Sequence, residues 1–284
     1  ATEAGLLLGA RTGLYRWQPD RQSWLPASTE LPSGVASLAV DPLNPQLFYA
    51  GTVSHGVYRS DNGGQSWQPL PALRKGIPDI AIDPREPDNI YILAAWERVY
   101  DSRDGGQSWG AHWAGLGEVI ETVSLAVDPV EPAVYVGTEM GLYRRLADDD
   151  WEPVAPDLAD QSILALLARP RPKLLGQESV LYIGATRGIY YSEDLGSTVQ
   201  GGGSGWGQGL ENISVTALLP DPQDSQKLYA GTAFAGVYAS LDGGQNWQPI
   251  GPTELAAGIV EALAWGPDGE LFVAATTGVW QARP

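Results

Sequence analysis

Few side chains in this sequence could carry bond-breaking chemistry, and each can be named. Glu97 and Glu139 are the one pair of carboxylates, on loops about one repeat apart, that could flank a glycosidic bond as a retaining or inverting glycosidase requires. A Ser–His–Asp relay would have to use His55 or His112, the chain's two histidines, and His112 stands beside Trp113 at the end of a repeat. Cysteine is absent, which removes disulfides, thiolate metal sites and a thiol nucleophile together. With so few imidazoles a zinc site lacks ligands. Aspartates recur at hairpins, but each hairpin offers one or two carboxylates where calcium takes about six to eight oxygens. No cofactor and no metal is expected, and the residue types favour recognition over catalysis.

The elements that must position any such residues follow from a tandem repeat. Ala39 to Leu70 reads AVDPLNPQLFYAGTVSHGVYRSDNGGQSWQPL, with near-copies at Ala81 to Trp109, Ala126 to Trp151 and Leu218 to Trp247. An aromatic anchor at Tyr15, Tyr58, Tyr100, Tyr143, Tyr190, Tyr238 and Trp280 steps by 43, 42, 43, 47, 48 and 42 residues. A second anchor, Trp24, Trp67, Trp109, Trp151, Trp206 and Trp247, steps by 43, 42, 42, 55 and 41. Each copy holds four short runs rich in Val, Leu, Tyr and Trp, separated by Pro and Gly, and such runs read as β-strands. In the second copy these are Ala36–Val40, Leu47–Gly51, Gly56–Arg59 and a fourth starting at Trp67. Four strands per roughly 42 residues is the size of a propeller blade. The reading is therefore all-β: a single β-propeller domain over 1–284, with about seven four-stranded blades. The N-terminus begins at a second strand and the C-terminus stops after a third, so the first and last blades are incomplete.

Composition agrees. Gly 35 and Pro 22 suit many tight turns. Lys+Arg 17 against Asp+Glu 34 gives a formal net charge of -17, which repels phosphate backbones and anionic lipid, so no nucleic-acid partner is expected. No apolar run approaches the ~18–20 residues that span a bilayer. The start, Ala1-Thr2-Glu3-Ala4, has neither a basic segment nor an initiator Met, and a processed, extracytoplasmic chain is expected.

Between the third and fourth strands stands Ser102-Arg103-Asp104-Gly105-Gly106-Gln107-Ser108-Trp109. It resembles the Asp-box, S-x-D-x-G-x-[ST]-W, of the sialidase-like (BNR) propellers. A second copy keeps Ser240, Asp242, Gly244 and Trp247, with Asn246 in the Ser/Thr slot. A third has Ser60, Gly64 and Trp67, with Asn62 in place of Asp. A fourth has Ser192, Asp194 and Gly196, after which a Gly-rich insert, Val199 to Gly205, delays Trp206. The box reads as structural: Asp or Asn accepts from turn amides, Gly takes the φ > 0 position, and Trp wedges against the neighbouring blade.

The repeats are also similar to those of xyloglucan-cleaving glycoside hydrolases and sortilin-type receptors. In size and one-domain layout the chain is similar to the propeller that assists photosystem II assembly. The first resemblance implies substrate clamped between two propellers, of which this chain supplies one. The last implies a rigid platform that holds another protein, without the basic patch of that family. For sialidase chemistry, Arg11, Arg98 and Arg187 could converge, but the Arg-Ile-Pro signature is missing and no Tyr–Glu nucleophile pair stands out.

Function is expected where the repeat departs from itself. The loops between second and third strands lie opposite the Asp-boxes, and there Arg11, His55, Trp96, Glu97, Met140, Arg187 and Phe234 differ from blade to blade. Exposed aromatics and arginines are enriched at binding hot spots. Arg74 and Lys75 form a small basic cluster on the same face. A protein partner is expected there, with glycan binding or a glycoside hydrolase-like activity as the alternative.

Overall fold

The computed structural model describes residues 5–32, 34–71, 74–95, 99–117, 121–147, 149–174, 176–202 and 205–282. The fold is a seven-bladed β-propeller of antiparallel sheets. Its contacts divide it into two compact units, Ala1–Ala114 and Gly115–Pro284.

The first unit holds blades one to three. Blade one has three strands, Leu7–Ala10, Gly13–Gln18 and Ser23–Ser28. Blade two has four, Val35–Val40, Phe48–Thr52, Val57–Ser60 and Gln68–Pro69. Blade three has Asp79–Ile82, Ile90–Leu93, Val99–Ser102 and Gly110–His112. The second unit holds blades four to seven. Blade four is Thr122–Val127, Ala133–Thr138, Gly141–Leu146 and Glu152–Val154, and blade five is Ile163–Pro172, Gln177–Ala185, Gly188–Ser192 and Gln200–Gly201. Blade six is Val215–Pro220, Leu228–Thr232, Val237–Ser240 and Gln248–Ile250. Blade seven has three strands, Val260–Trp265, Leu271–Ala275 and Gly278–Ala282. The ragged ends thus fall as the repeat predicts. Fourth strands begin just after the tryptophan rather than on it, because the indole turns into the core while the ladder starts at the next residue.

Second strands in the interior of each unit are buried, as in Phe48–Thr52 and Leu228–Thr232, because a blade flanked by two others meets a neighbour on both faces. In blades two, four, five and six the second strand carries a glycine, Gly51, Gly137, Gly184 and Gly231, where the next blade's first strand crosses. A Cβ at Gly137 would lie 2.2 Å from Ser124 Oγ and 2.6 Å from the Ile163 carbonyl oxygen; one at Gly51 would lie 2.2 Å from Ser37 Oγ and 2.5 Å from that of Ile77. A bulge in the first strand turns a hydroxyl into the same gap: Ser37 donates to the Ile77 carbonyl (2.8 Å) and Ser124 to that of Ile163 (3.0 Å).

The Asp-boxes fasten adjacent blades. Within each, the serine Oγ accepts from the glycine amide and donates to the Asp or Asn, at Ser60/Asn62/Gly64, Ser102/Asp104/Gly106, Ser192/Asp194/Gly196 and Ser240/Asp242/Gly244. Trp67 and Trp247 are buried and donate Nε1–H to the carbonyls of Gly64 and Gly244. Trp109 packs against the core cluster that blade three shares with Leu47, Tyr49 and Val57 of the preceding blade. An arginine one residue after the third-strand tyrosine then reaches the next blade's box. Arg16 donates to the Gly63 carbonyl (2.6 Å) and Arg144 to that of Leu195 (2.9 Å).

Candidate functional site

In the first unit Arg11, His55 and Arg74 are exposed. His55 Nδ1 lies 2.9 Å from Ser54 Oγ, and the His55 amide donates to Thr52 Oγ1. The Gly56 amide donates to the Lys75 carbonyl (2.8 Å), which sets the His55 turn beside the Arg74–Lys75 segment. Trp96, Glu97 and Arg98 lie outside the described residues.

In the second unit Met140, Arg187 and Phe234 occupy three successive loops, as their places in the repeat predict. Met140 is 61% and Phe234 66% exposed, so neither fills the core. Phe234 has φ 63, a left-handed backbone that a bulky side chain adopts only against strain. Arg187 Nη1 pairs with Asp160 Oδ2 at 2.8 Å. The loops are held by bonds beneath them. Gln161, buried, accepts from the Gly141 amide on its carbonyl (2.9 Å) and from the Arg187 amide on Oε1 (3.1 Å), and donates Nε2–H to Tyr190 Oη (2.8 Å). Ser214 then donates to the Thr186 carbonyl and accepts from the Ala233 amide. The glutamate of the proposed carboxylate pair that is described, Glu139, is exposed beside Met140.

At the Asp-box end of the second unit, sequence reasoning missed a second feature. The first hairpin of blade five runs ten and nine residues per strand, against four to six for the first two strands of the other blades. Its pairing places Leu167, Tyr182 and Tyr191 in one row, Arg169 and Val180 in the next, and Arg171 opposite Glu178 beyond them. That row faces blade six. A cleft of ≈ 470 Å³ opens between this face and the blade-six box, where Gln226, Asp242 and Gln245 form the other side. Trp206 stacks on Tyr191 with ring centroids 4.5 Å apart and the planes 17° apart, and Tyr182 lies 5.9 Å from Trp206.

Electrostatics in this cleft are set by pairs. Arg171 binds Glu178, Glu193 and Tyr191, and Lys173 binds Glu178. The Arg171 bond draws the Glu193 carboxyl below its usual range, with help from Tyr191. Burial, then the bond to Glu193, pushes the Tyr191 hydroxyl up. Arg169 Nη1 is buried and has no hydrogen-bond partner in the protein. The missed signal was in the spacings: the 47, 48 and 55 all bracket blade five, where the hairpin and the insert before Trp206 lengthen the repeat.

Comparison with known proteins fits this description. Residues 58–69 match the family model described as BNR/Asp-box repeat, so the resemblance read from the hairpins holds at the level of the repeat. A sequence comparison with curated proteins finds no match. Among solved structures, the GH74 xyloglucanase from Xanthomonas campestris aligns with TM-score 0.72 at 20% identity, over 98% of this chain and 50% of that chain. A chain of the mitotic checkpoint complex aligns with TM-score 0.71 at 14% identity, over 98% of this chain and 83% of that one. YCF48 from Cyanidioschyzon merolae aligns over 88% of this chain and 94% of that one at 11% identity, with TM-score 0.46, too loosely to carry an argument. The chain spans about half the length of the xyloglucanase. At these identities the likeness is one of fold alone.

Proposed function

We propose that this chain is a non-catalytic binding propeller, one extracytoplasmic domain that holds a protein partner on the loops opposite its Asp-boxes. The observation that carries the reading is Phe234: 66% exposed, with its backbone at φ 63. Strain of this kind costs about 1–3 kcal/mol, and nothing in the blade's packing requires an aromatic there, since the side chain stands in solvent. Binding repays such a cost, because a presented aromatic is a preferred hot-spot residue. Met140, 61% exposed one loop away from the Arg187 loop, extends the apolar surface, and the bonds through Gln161 and Ser214 pre-organise the tips, which lowers the ordering cost of association. In the first unit Arg11 and His55 take the corresponding exposed positions, and Arg74 is exposed on the segment that follows a fourth strand. A glycan-binding reading has one observation in its favour, the aromatic cleft at the other end of blade five.

The test is affinity capture from the native organism with the unaltered chain, Phe234→Ala and Met140→Ala. Loss of a hot-spot aromatic weakens binding by roughly 2 kcal/mol or more, about thirtyfold, so the alanine variants should lose the partner while unfolding at the same temperature. Equal recovery by all three proteins would reject the loop face.

A further inference from the structure

The blade-five cleft has features that neither the propeller fold nor the Asp-boxes require. The hairpin strands outrun those of every other blade, and the extra length raises a wall above the blade-six box. That wall concentrates cations, Arg169, Arg171 and Lys173, in a chain with twice as many acids as bases. Two of them are consumed locally, Arg171 by Glu178 and Glu193 and Lys173 by Glu178. Arg169 is not: among the described residues no carboxylate neutralises its guanidinium, and Nη1 has no protein partner. Asp242, on the other side, has both oxygens engaged, by Ser240 and Asn246. Trp206 has left the box position that Trp67 and Trp247 occupy, and instead lines the cleft stacked on Tyr191.

We propose that this cleft is a binding site for a short acidic saccharide, with the sugar ring against the Trp206–Tyr182 wall and its carboxylate received by Arg169. The chemistry matches group by group. A pyranose presents a C–H face that packs on aromatic rings and an edge of hydroxyls that exchange hydrogen bonds with side-chain amides, here Gln226 and Gln245. A carboxylate is the planar acceptor that a guanidinium fork binds best. The volume, ≈ 470 Å³, suits one or two sugar rings. The net charge of -17 disfavours a polyanionic chain, so the ligand carries one or two carboxylates rather than a run of them. The site lies at the opposite end of the blades from Phe234 and Met140, so it does not depend on the loop-face reading.

Saturation-transfer NMR and calorimetry with methyl β-D-glucuronide, and methyl β-D-glucoside as its neutral twin, test the proposal on the full chain. The glucuronide should bind and the glucoside should bind about tenfold more weakly, the difference one charge-assisted hydrogen bond makes. Arg169→Gln should abolish that preference, Trp206→Ala should weaken both ligands, and Phe234→Ala should change neither. Arg169→Lys, which keeps the charge and loses the fork, should retain part of the preference and guards against a folding defect in the glutamine variant. Equal affinity for the two glycosides, a preference that survives Arg169→Gln, or no binding of either would overturn it.

Discussion

Asp104 illustrates how a residue type with catalytic potential becomes structural. Its carboxylate accepts from the Ser108 hydroxyl (2.6 Å), the Ser108 amide (2.8 Å) and the Ser102 hydroxyl (2.7 Å), and these bonds, Ser108's first, hold its pKa at about 2. Burial alone would raise Asp194 and Asp242, but donors from Thr198 and Asn246 hold both below the ordinary value. A carboxyl depressed in this way cannot act as a general acid near neutral pH. Its folded pKa lies below the unfolded one, so whatever stability it lends is complete above about pH 4 and lost as pH falls through 2. Carbon-detected NMR titration should find Asp104 titrating near 2; a midpoint near the model-peptide value would mean that the box bonds do not form in solution. Trp151 shows the same economy where the box has degenerated: Arg145, fully buried, lies over its ring at 5.3 Å.

Among elements, the junction between neighbouring blades is built from a glycine, a bulged hydroxyl residue and a box. Gly137→Ala would drive a Cβ against Ser124 Oγ and the Ile163 carbonyl and disrupt the bond between them. Because one contact is backbone that cannot move aside, the substitution should destabilise by about 1–3 kcal/mol, read by denaturant unfolding, whereas Gly176→Ala, at a turn whose Cβ would meet nothing within 4 Å, tests φ strain alone. Indistinguishable midpoints for Gly137→Ala and the unaltered chain would refute the close-approach account. Much of this level was legible in the sequence. The two aromatic ladders fixed strand order and blade number, and Ser102 to Trp109 gave the box its hydrogen-bond roles in advance. What was not legible depended on partners distant in sequence. Arg16 and Arg144 look like ordinary solvated strand residues until the next blade's box carbonyl is set against them. Likewise the delayed Trp206 announced an irregularity but not its destination, since its stacking on Tyr191 depends on a hairpin whose length the local pattern does not define.

For the whole molecule, the division of labour is between a repeated frame and unrepeated tips. The frame repeats because blade-to-blade contacts leave little freedom: the glycine, the bulge and the box recur together in blades two, five and six, and singly or in pairs in others. Selection for recognition can act where packing does not, which is why Met140, Arg187 and Phe234 differ while the strands beneath them do not. Site-specific photocrosslinking in the native organism tests that claim most directly, with p-benzoylphenylalanine placed at position 234 in one protein and at 241 in another. Leu241, 69% exposed on a box hairpin, samples the opposite end of the same blade. A discrete adduct is expected from position 234 and none from 241; an adduct from 241, or none from 234, would overturn the division between frame and tips.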